Sequence, residues 1–269
     1  MAPPRRIVTL TTDFGLEDGY VGQMKGAALS ICSNLQFVDI THHVPPHDVL
    51  SGALHLKAAY SSFPPGTVHV AVVDPGVGTA RRGVVVRTAR YVFVAPDNGL
   101  LSLALEDEPV GAAHLLEARH LRRSNVSATF EGRDVFAPAA AWVARGIEVE
   151  RFGPEAGDLA RLELPAFRAE AGRPVSVRAL LVDRFGNVTL NVPRRAVQRD
   201  DGSAPLPRIR VQTPRATIDE LHRTYGDADP GKPFLLFNSA DFLEIAVREG
   251  RACERLGLRA GDEVVVTVG

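Results

Sequence analysis

The chain predicts an α/β protein in two parts. Residues 1–165 read as an N-terminal layered α/β domain with a mostly parallel sheet. Residues 172–269 read as a smaller, β-rich C-terminal domain resembling a β-barrel. Three observations predict this. Strand-like and helix-like segments alternate through the first half, the pattern of a layered parallel sheet. The character changes near Pro165 to Pro174. Beyond that point short strands alternate with turn signals and helical periodicity is sparse, the pattern of a partial barrel.

The elements follow in order. Ile7 to Thr11 is an apolar run of strand length, and Thr12-Asp13-Phe14-Gly15 reads as the turn after it. Tyr20 to Ile31 has helical spacing, with Val21, Met24, Ala28 and Ile31 on one face. Leu35 to Ile40 is a second strand, and Pro45-Pro46-His47-Asp48 opens a helix over Val49 to Tyr60. Thr67 to Val73 is a third strand running into the glycine-rich turn Asp74-Pro75-Gly76-Val77-Gly78. Val84 to Val86 and Tyr91 to Ala95 form a predicted hairpin, and Asn98 to Leu105 and Asp134 to Ala144 read as helices. In the second part Val175 to Val182, Ile209 to Val211, Phe234 to Phe237 and Glu263 to Val268 read as strands.

Composition narrows the function classes. The 269 residues carry a formal net charge of −1, with no basic footprint for nucleic acid or an anionic membrane. No apolar run reaches the ~20 residues of a membrane span. The start, Met1 to Arg6, is polar and Pro-rich and has no apolar signal-peptide core behind it. Cys32 and Cys253 lie far apart and show no metal spacing, so a reduced, cytoplasmic location is expected.

Polar residues gather at the carboxyl ends of the predicted strands: Asp13, Asp74 and Asp97-Asn98-Gly99. In open α/β sheets the ligand crevice lies outside those ends. A single Asp there is ordinarily a turn or helix cap; several converging on one edge favour a site. Gly76-Val77-Gly78 lacks the full G-x-G-x-x-G spacing and has no helix directly after it, so a phosphate cradle is not indicated. His42, His43 and His47 could join Asp13 and Asp74 in a metal site of a metallo-phosphoesterase. Against that, adjacent histidines tend to point apart and also serve as capping or surface residues.

Six separated segments resemble one family. They are Thr11-Thr12-Asp13-Phe14-Gly15 with Gly19-Tyr20-Val21; Asp39-Ile40-Thr41-His42 to Pro45-Pro46; Val73-Asp74-Pro75-Gly76-Val77-Gly78-Thr79; Ala95-Pro96-Asp97-Asn98-Gly99; Thr129-Phe130 with Gly132-Arg133-Asp134-Val135-Phe136-Ala137-Pro138; and Asp183-Arg184-Phe185-Gly186-Asn187 with Asn238-Ser239 and Leu243-Glu244-Ile245-Ala246. In this order they are similar to the S-adenosylmethionine hydroxide adenosyltransferases, relatives of fluorinase and chlorinase.

The resemblance implies hydrolysis of S-adenosylmethionine to adenosine and methionine, without a metal or redox cofactor. It also implies a homotrimer with inter-subunit active sites. By motif, Asp13 would accept from the ribose hydroxyls, Asp183 would pair with the ammonium of the methionine part, and Asn187 would read the adenine edge. Phe185 belongs to the same substrate-binding turn, and Tyr225 would be an aromatic partner of the adenine. Ser239, with Asn238, would contact the amino-acid end.

The family pattern orients water with an Asp, an Arg seven residues later and a His in T-F-H-G-R-D. Asp74 and Arg81 stand at that spacing, whereas Glu131 occupies the His position. Halogenase relatives carry a tyrosine where Asp74 stands, so Asp74 argues for water over halide. Glu131 either replaces His as the acceptor or marks a weakened site. Halide transfer and a non-catalytic adenosine-binding role are therefore the alternatives to hydrolysis.

Overall fold

The computed structural model describes residues 6–164, 166–197 and 207–269. The polar start read from Met1 therefore lies outside the described residues, Arg6 excepted, as does Pro165. The chain divides into two compact units, Met1–Glu163 and Leu164–Gly269.

The first unit is built on a six-stranded sheet. Its strands are β1 (Arg6–Thr12), β2 (Leu35–Thr41), β3 (Val68–Val72), β4 (Gly83–Arg87), β5 (Val92–Pro96) and β6 (Ala112–Leu115), in the order β2-β1-β3-β5-β4-β6. β1 pairs in parallel with β2 and β3, and β3 in parallel with β5. The predicted hairpin β4–β5 is antiparallel, and so is the added edge strand β6. Every residue of β3 is buried, as expected for a central strand covered on both faces. Val68, Val70 and Val72 point to one face, into a core with Val21, Met24 and Ala28 of α1 (Tyr20–Leu29) and Ala137, Ala140 and Ala141. His69 points to the other face, where it stacks on Phe93 and meets the edges of Tyr60 and Tyr91. The two-residue period of a strand produces this division.

α2 (Val49–Ala59) begins where the Asp48 side chain accepts the Ser51 N–H at 2.9 Å, an N-cap that satisfies a free helix donor. The helix predicted over 98–105 is corrected: only Ala104–Asp107 (α3) is helical. Asn98 is tied by its amide to the Val73 carbonyl at 2.9 Å, and Gly99 adopts φ +93°. A positive φ at residue 99 lies outside the right-handed helical region, so no helix starts there. The last predicted helix of this half opens with a π-helical turn, Gly132–Phe136, before α4 (Ala137–Ala144). π-Turns of this kind occur often at functional sites.

The second unit is a seven-stranded antiparallel sheet. It contains β7 (Pro174–Val182), β8 (Val188–Pro193), β9 (Ile209–Gln212), β10 (Thr217–Ile218), β11 (Pro233–Phe237), β12 (Phe242–Val247) and β13 (Glu263–Val268), in the order β10-β9-β13-β7-β8-β12-β11. A bridge between Leu221 and Leu235 brings the two edges together and nearly closes a barrel. Closure of this kind removes exposed strand edges. Its interior is aliphatic, with Val177, Leu190, Val211, Ile245 and Val266 buried. The short helix α5 (Ala252–Leu256) ends at Gly257, whose φ of +66° suits a left-handed cap. The α/β class with a barrel-like second part, expected from the sequence, is the fold observed.

Candidate active site

Parallel pairing carries the ends of β1 and β3 to the same edge of the first unit's sheet. There Asp13, one residue past β1, and Asp74, two past β3, line a cavity of about 510 Å³. Glu131 and the aromatic rings of Phe14, Tyr20 and Phe130 line it too. The three rings meet edge to face, with centroids 5.2–6.1 Å apart, a favoured aromatic geometry. Asp97 is not in this wall. It accepts from Arg82 at 2.5 and 2.9 Å and from the Ala160 N–H at 2.8 Å, so its role there is to hold a loop.

Asp74, Arg81 and Glu131 come together. Arg81 Nε and Nη2 donate to the two Asp74 oxygens at 3.0 and 2.5 Å, a bidentate pair. Nη2 also donates to Glu131 Oε2 at 2.6 Å, and Nη1 to the Arg82 carbonyl at 3.0 Å. The guanidinium lies over the Phe136 ring at 5.4 Å. The Asp74 and Arg81 side chains are nearly closed to solvent, and Glu131 is a quarter exposed. Burial raises the Asp74 pKa, and Glu131 adds to this; Arg81 pulls the other way without cancelling it. The turn needs a glycine at Gly78, with φ +77°, where a Cβ would stand 2.7 Å from the Ala128 carbonyl oxygen.

Glu131 is aimed by the segment around it. Asp134, fully buried in the π-turn, receives Arg133 Nε at 2.7 Å and Nη2 at 2.8 Å, Arg123 Nη1 at 3.1 Å and the Ser127 N–H at 2.8 Å. These bonds fold residues 123–133 into one side of the cavity. Arg133, Ser127 and Thr129 are wall residues that sequence reasoning did not select.

The histidines do not assemble with Asp13 and Asp74. His42 is buried, with Nδ1 2.8 Å from Thr12 Oγ1, whereas His43 is exposed. His47 lines the cavity but contributes its backbone, an N–H donated to Asp13 Oδ2 at 2.9 Å. Among the described residues no group of three or more His, Cys, Asp or Glu is arranged to hold a metal.

The second unit gathers the other predicted residues. The turn between β7 and β8 closes with the Asn187 N–H on Asp183 Oδ1 at 2.8 Å and the Asn187 amide on Asp183 Oδ2 at 3.1 Å. Gly186 sits there at φ +86°, with no room for a Cβ against Arg251. The Asn187 amide also reaches Tyr225 Oη at 3.5 Å, and Tyr225 donates to Glu244 Oε1 at 2.8 Å. Asn238 donates to Glu244 Oε2 at 3.1 Å. Glu244 is therefore the hub, 4% exposed, its pKa raised by burial against the pull of these two donors. Its signal was a single carboxylate inside the apolar run Phe242–Val247, since a buried charge requires partners. Phe185 and Ser239 are exposed, Phe185 strongly.

A mixed α/β sheet with a carboxylate–guanidinium cluster in its strand-end cavity, joined in one chain to a nearly closed antiparallel barrel, defines a two-unit α/β protein. Residues 8–153 match the SAM hydroxide adenosyltransferase N-terminal domain, and residues 177–265 match the SAM hydroxide adenosyltransferase C-terminal domain. The chain belongs to the SAM hydroxide adenosyltransferase family. It is 40% identical over 270 residues to the (R)-S-adenosyl-L-methionine hydrolase of Salinispora tropica, covering 99% of both chains. To the enzyme of that name from Thermus thermophilus it is 40% identical over 95% of this chain and 97% of the relative. A fluorinase from an Actinoplanes species is more distant, at 28% identity over 97% of both. A crystal structure of an uncharacterized conserved protein from Thermotoga maritima superposes with a TM-score of 0.86 at 37% identity, covering 97% of this chain and 99% of that one.

Proposed function

We propose that this protein hydrolyses S-adenosyl-L-methionine to adenosine and L-methionine. The observation that carries the reading is the Asp74–Arg81–Glu131 cluster on the wall that also bears Asp13. Water attacks the ribose C5′, the new C–O bond forms as the C5′–S bond breaks, and the electron pair leaves with sulfur as a neutral thioether. The leaving group needs neither an acid nor a Lewis acid, so the protein's task is to orient the nucleophile and take its proton. Arg81 engages both oxygens of Asp74 but only one of Glu131. Glu131 Oε1 is therefore the freer acceptor for a water proton, and Arg81 holds the two carboxylates close together.

Asp13 accepts the ribose diol, for which a carboxylate with one oxygen already fixed by the His47 N–H is suited. Asp183 pairs with the substrate ammonium, and Asn187, Phe185 and Tyr225 receive the adenine. Asn238 and Ser239 take the amino-acid end. The exposed rings of Phe185 and Tyr225 support an aromatic platform. Two carboxylates at the attack position disfavour a halide nucleophile. The family resemblance supports a metal-independent homotrimer acting on free substrate; the two widely spaced cysteines support a cytoplasmic location, and the near-zero net charge speaks against nucleic acid or a membrane as a partner. Among the described residues no helix is long and apolar enough to cross a membrane.

The test is incubation of the purified protein with S-adenosylmethionine, with and without chelator, chloride or fluoride, followed by chromatography. Adenosine and methionine in equal amounts under every condition are expected. Halogenated nucleoside, or no adenosine above the blank, refutes the proposal.

A further inference from the structure

The segment Asp39-Ile40-Thr41-His42 has no part in the chemistry above, yet it is built into the turn that carries Asp13. His42, 3% exposed, follows β2. Its Nδ1 is 2.8 Å from Thr12 Oγ1, its Nε2 is 3.1 Å from Asp39 Oδ1, and Lys25 Nζ donates to Asp39 Oδ2 at 2.7 Å. The Thr12 hydroxyl in turn accepts the Phe14 N–H at 3.3 Å. The residues on either side of Asp13 are thus fastened to one hydroxyl. The His42 carbonyl accepts the Gly15 N–H at 2.8 Å, and the Thr12 carbonyl the Val44 N–H at 3.4 Å.

The proton positions follow from the partners. A carboxylate only accepts, so the ring hydrogen lies on Nε2, facing Asp39. The contact lies within ion-pair distance but does not meet hydrogen-bond geometry, so the Asp39–His42 link is electrostatic. Burial lowers the His42 pKa against the opposing pull of Asp39, which favours the neutral ring, and a neutral ring with its hydrogen on Nε2 presents Nδ1 as an acceptor. Thr12 then donates its hydroxyl hydrogen to Nδ1 and keeps its lone pairs for the Phe14 N–H. Each group has one assigned role, and the chain runs from Lys25 at the surface to the backbone on both sides of Asp13.

We infer that the Asp39–His42–Thr12 chain is a positioning device for Asp13, setting the carboxylate that receives the ribose diol. The inference rests on that reading of Asp13. Recognition of a diol by one carboxylate requires placement to within about 0.5 Å. Among the described residues the Asp13 side chain is held by one N–H, that of His47, a residue at φ +66°. The turn must supply the rest of the constraint.

The test uses Thr12→Val, which keeps shape and removes the hydroxyl, and Thr12→Ser, which restores it. Calorimetry gives the adenosine Kd, and steady-state kinetics with S-adenosylmethionine give KM and kcat. For Thr12→Val both Kd and KM should rise roughly tenfold, the scale of one lost buried hydrogen-bond partner, with kcat nearly unchanged. Thr12→Ser should return both to the parent values. A folded Thr12→Val with parental Kd, a loss confined to kcat, or no recovery with serine overturns the positioning role. If Thr12→Val does not fold, His42→Asn, which keeps an acceptor for Thr12, must bind adenosine more tightly than His42→Leu; equal affinities overturn it. A parent protein that neither binds adenosine nor turns over substrate sinks the functional reading beneath it, a result distinct from either.

Discussion

Arg81→Met removes the one cation shared by Asp74 and Glu131 while keeping an apolar stem over Phe136. The variant loses three charge-assisted bonds, at 3.0, 2.5 and 2.6 Å. It leaves two carboxylates facing each other with little solvent. Removing one partner of a fully buried ion pair costs roughly 3–5 kcal/mol. Glu131 is a quarter exposed and can turn to water, so the expected loss is about 3 kcal/mol. For a domain of this size that corresponds to a fall in unfolding temperature of about 6–12 °C. The deficit has a pH signature. Burial and Glu131 already hold the Asp74 pKa above its ordinary value, and Arg81 is the opposing influence; without Arg81 it rises further. A carboxyl with a raised folded-state pKa contributes stability that is fully present below the unfolded-state value and lost as pH rises through the folded-state value. The gap between parent and variant is therefore widest at neutral and alkaline pH and narrows as pH falls toward ~4. Thermal unfolding of both proteins across that range is the assay. A variant as stable as the parent at pH 8, or a gap that does not change with pH, refutes the account of the cluster.

Three further outcomes are expected. Asp13→Asn should weaken adenosine binding by roughly 1.5–3 kcal/mol, the range for hydrogen bonds to a charged group, with little effect on folding; unchanged affinity by calorimetry in a folded variant removes Asp13 from the ribose site. Glu131→His should raise turnover and move its pH profile, measured from about pH 6 to pH 10, because a neutral imidazole accepts a proton near neutrality; if rate and profile are both indifferent, Glu131 is a bystander. Tyr225→Phe should destabilise the protein by about 1–2 kcal/mol at pH 8, because buried Glu244 loses a donor at 2.8 Å. The loss of that donor pushes the already raised Glu244 pKa higher, so this deficit also shrinks on acidification, and chemical denaturation at pH 8 and pH 5 checks both size and sign.

The parts of the fold readable from sequence are those governed by local periodicity. β1, β3, α1 and α2 each carry a continuous apolar run or a clear helical face, and each forms near its expected bounds. The failure at residues 98–105 has a different origin. Gly99 turns to φ +93° with Arg161 and Leu162 packed against it, and long-range packing of this kind leaves no local trace. β8, β10, β12 and the edge strand β6 were likewise not read from the sequence; their pairing is set by neighbours distant in the chain. In the candidate site, Asp74 is legible because it stands at the carboxyl end of an apolar strand, whereas Arg81 is legible only by its place in the family motif. Glu131 was legible only by motif, since no local rule links residue 131 to residue 74. Glu244 enters the sequence reading only as part of a family motif, because its role as a hub depends on Tyr225 and Asn238, partners set by the barrel's pairing.

The charge of the cavity predicts that an exchange at Glu131 acts on rate more than on folding. Asp13, Asp74 and Glu131 all line the wall. Of the nearby guanidiniums, Arg81 is shared by two of these carboxylates, and Arg133 is already bound to buried Asp134. The wall is therefore net negative, which suits the sulfonium of the proposed substrate. As the C–S bond breaks, the sulfonium charge disappears. An attraction to that charge is stronger in the ground state than in the transition state, so it tightens binding without lowering the barrier. The same negative field opposes a hydroxide nucleophile. Under the proposed mechanism a glutamate at position 131 would trade turnover for retention of a cation, and a histidine there would release both restraints. For Glu131→His, kcat should rise together with KM; a rise in kcat with an unchanged or lower KM would mean that the field of Glu131 acts on the nucleophile alone.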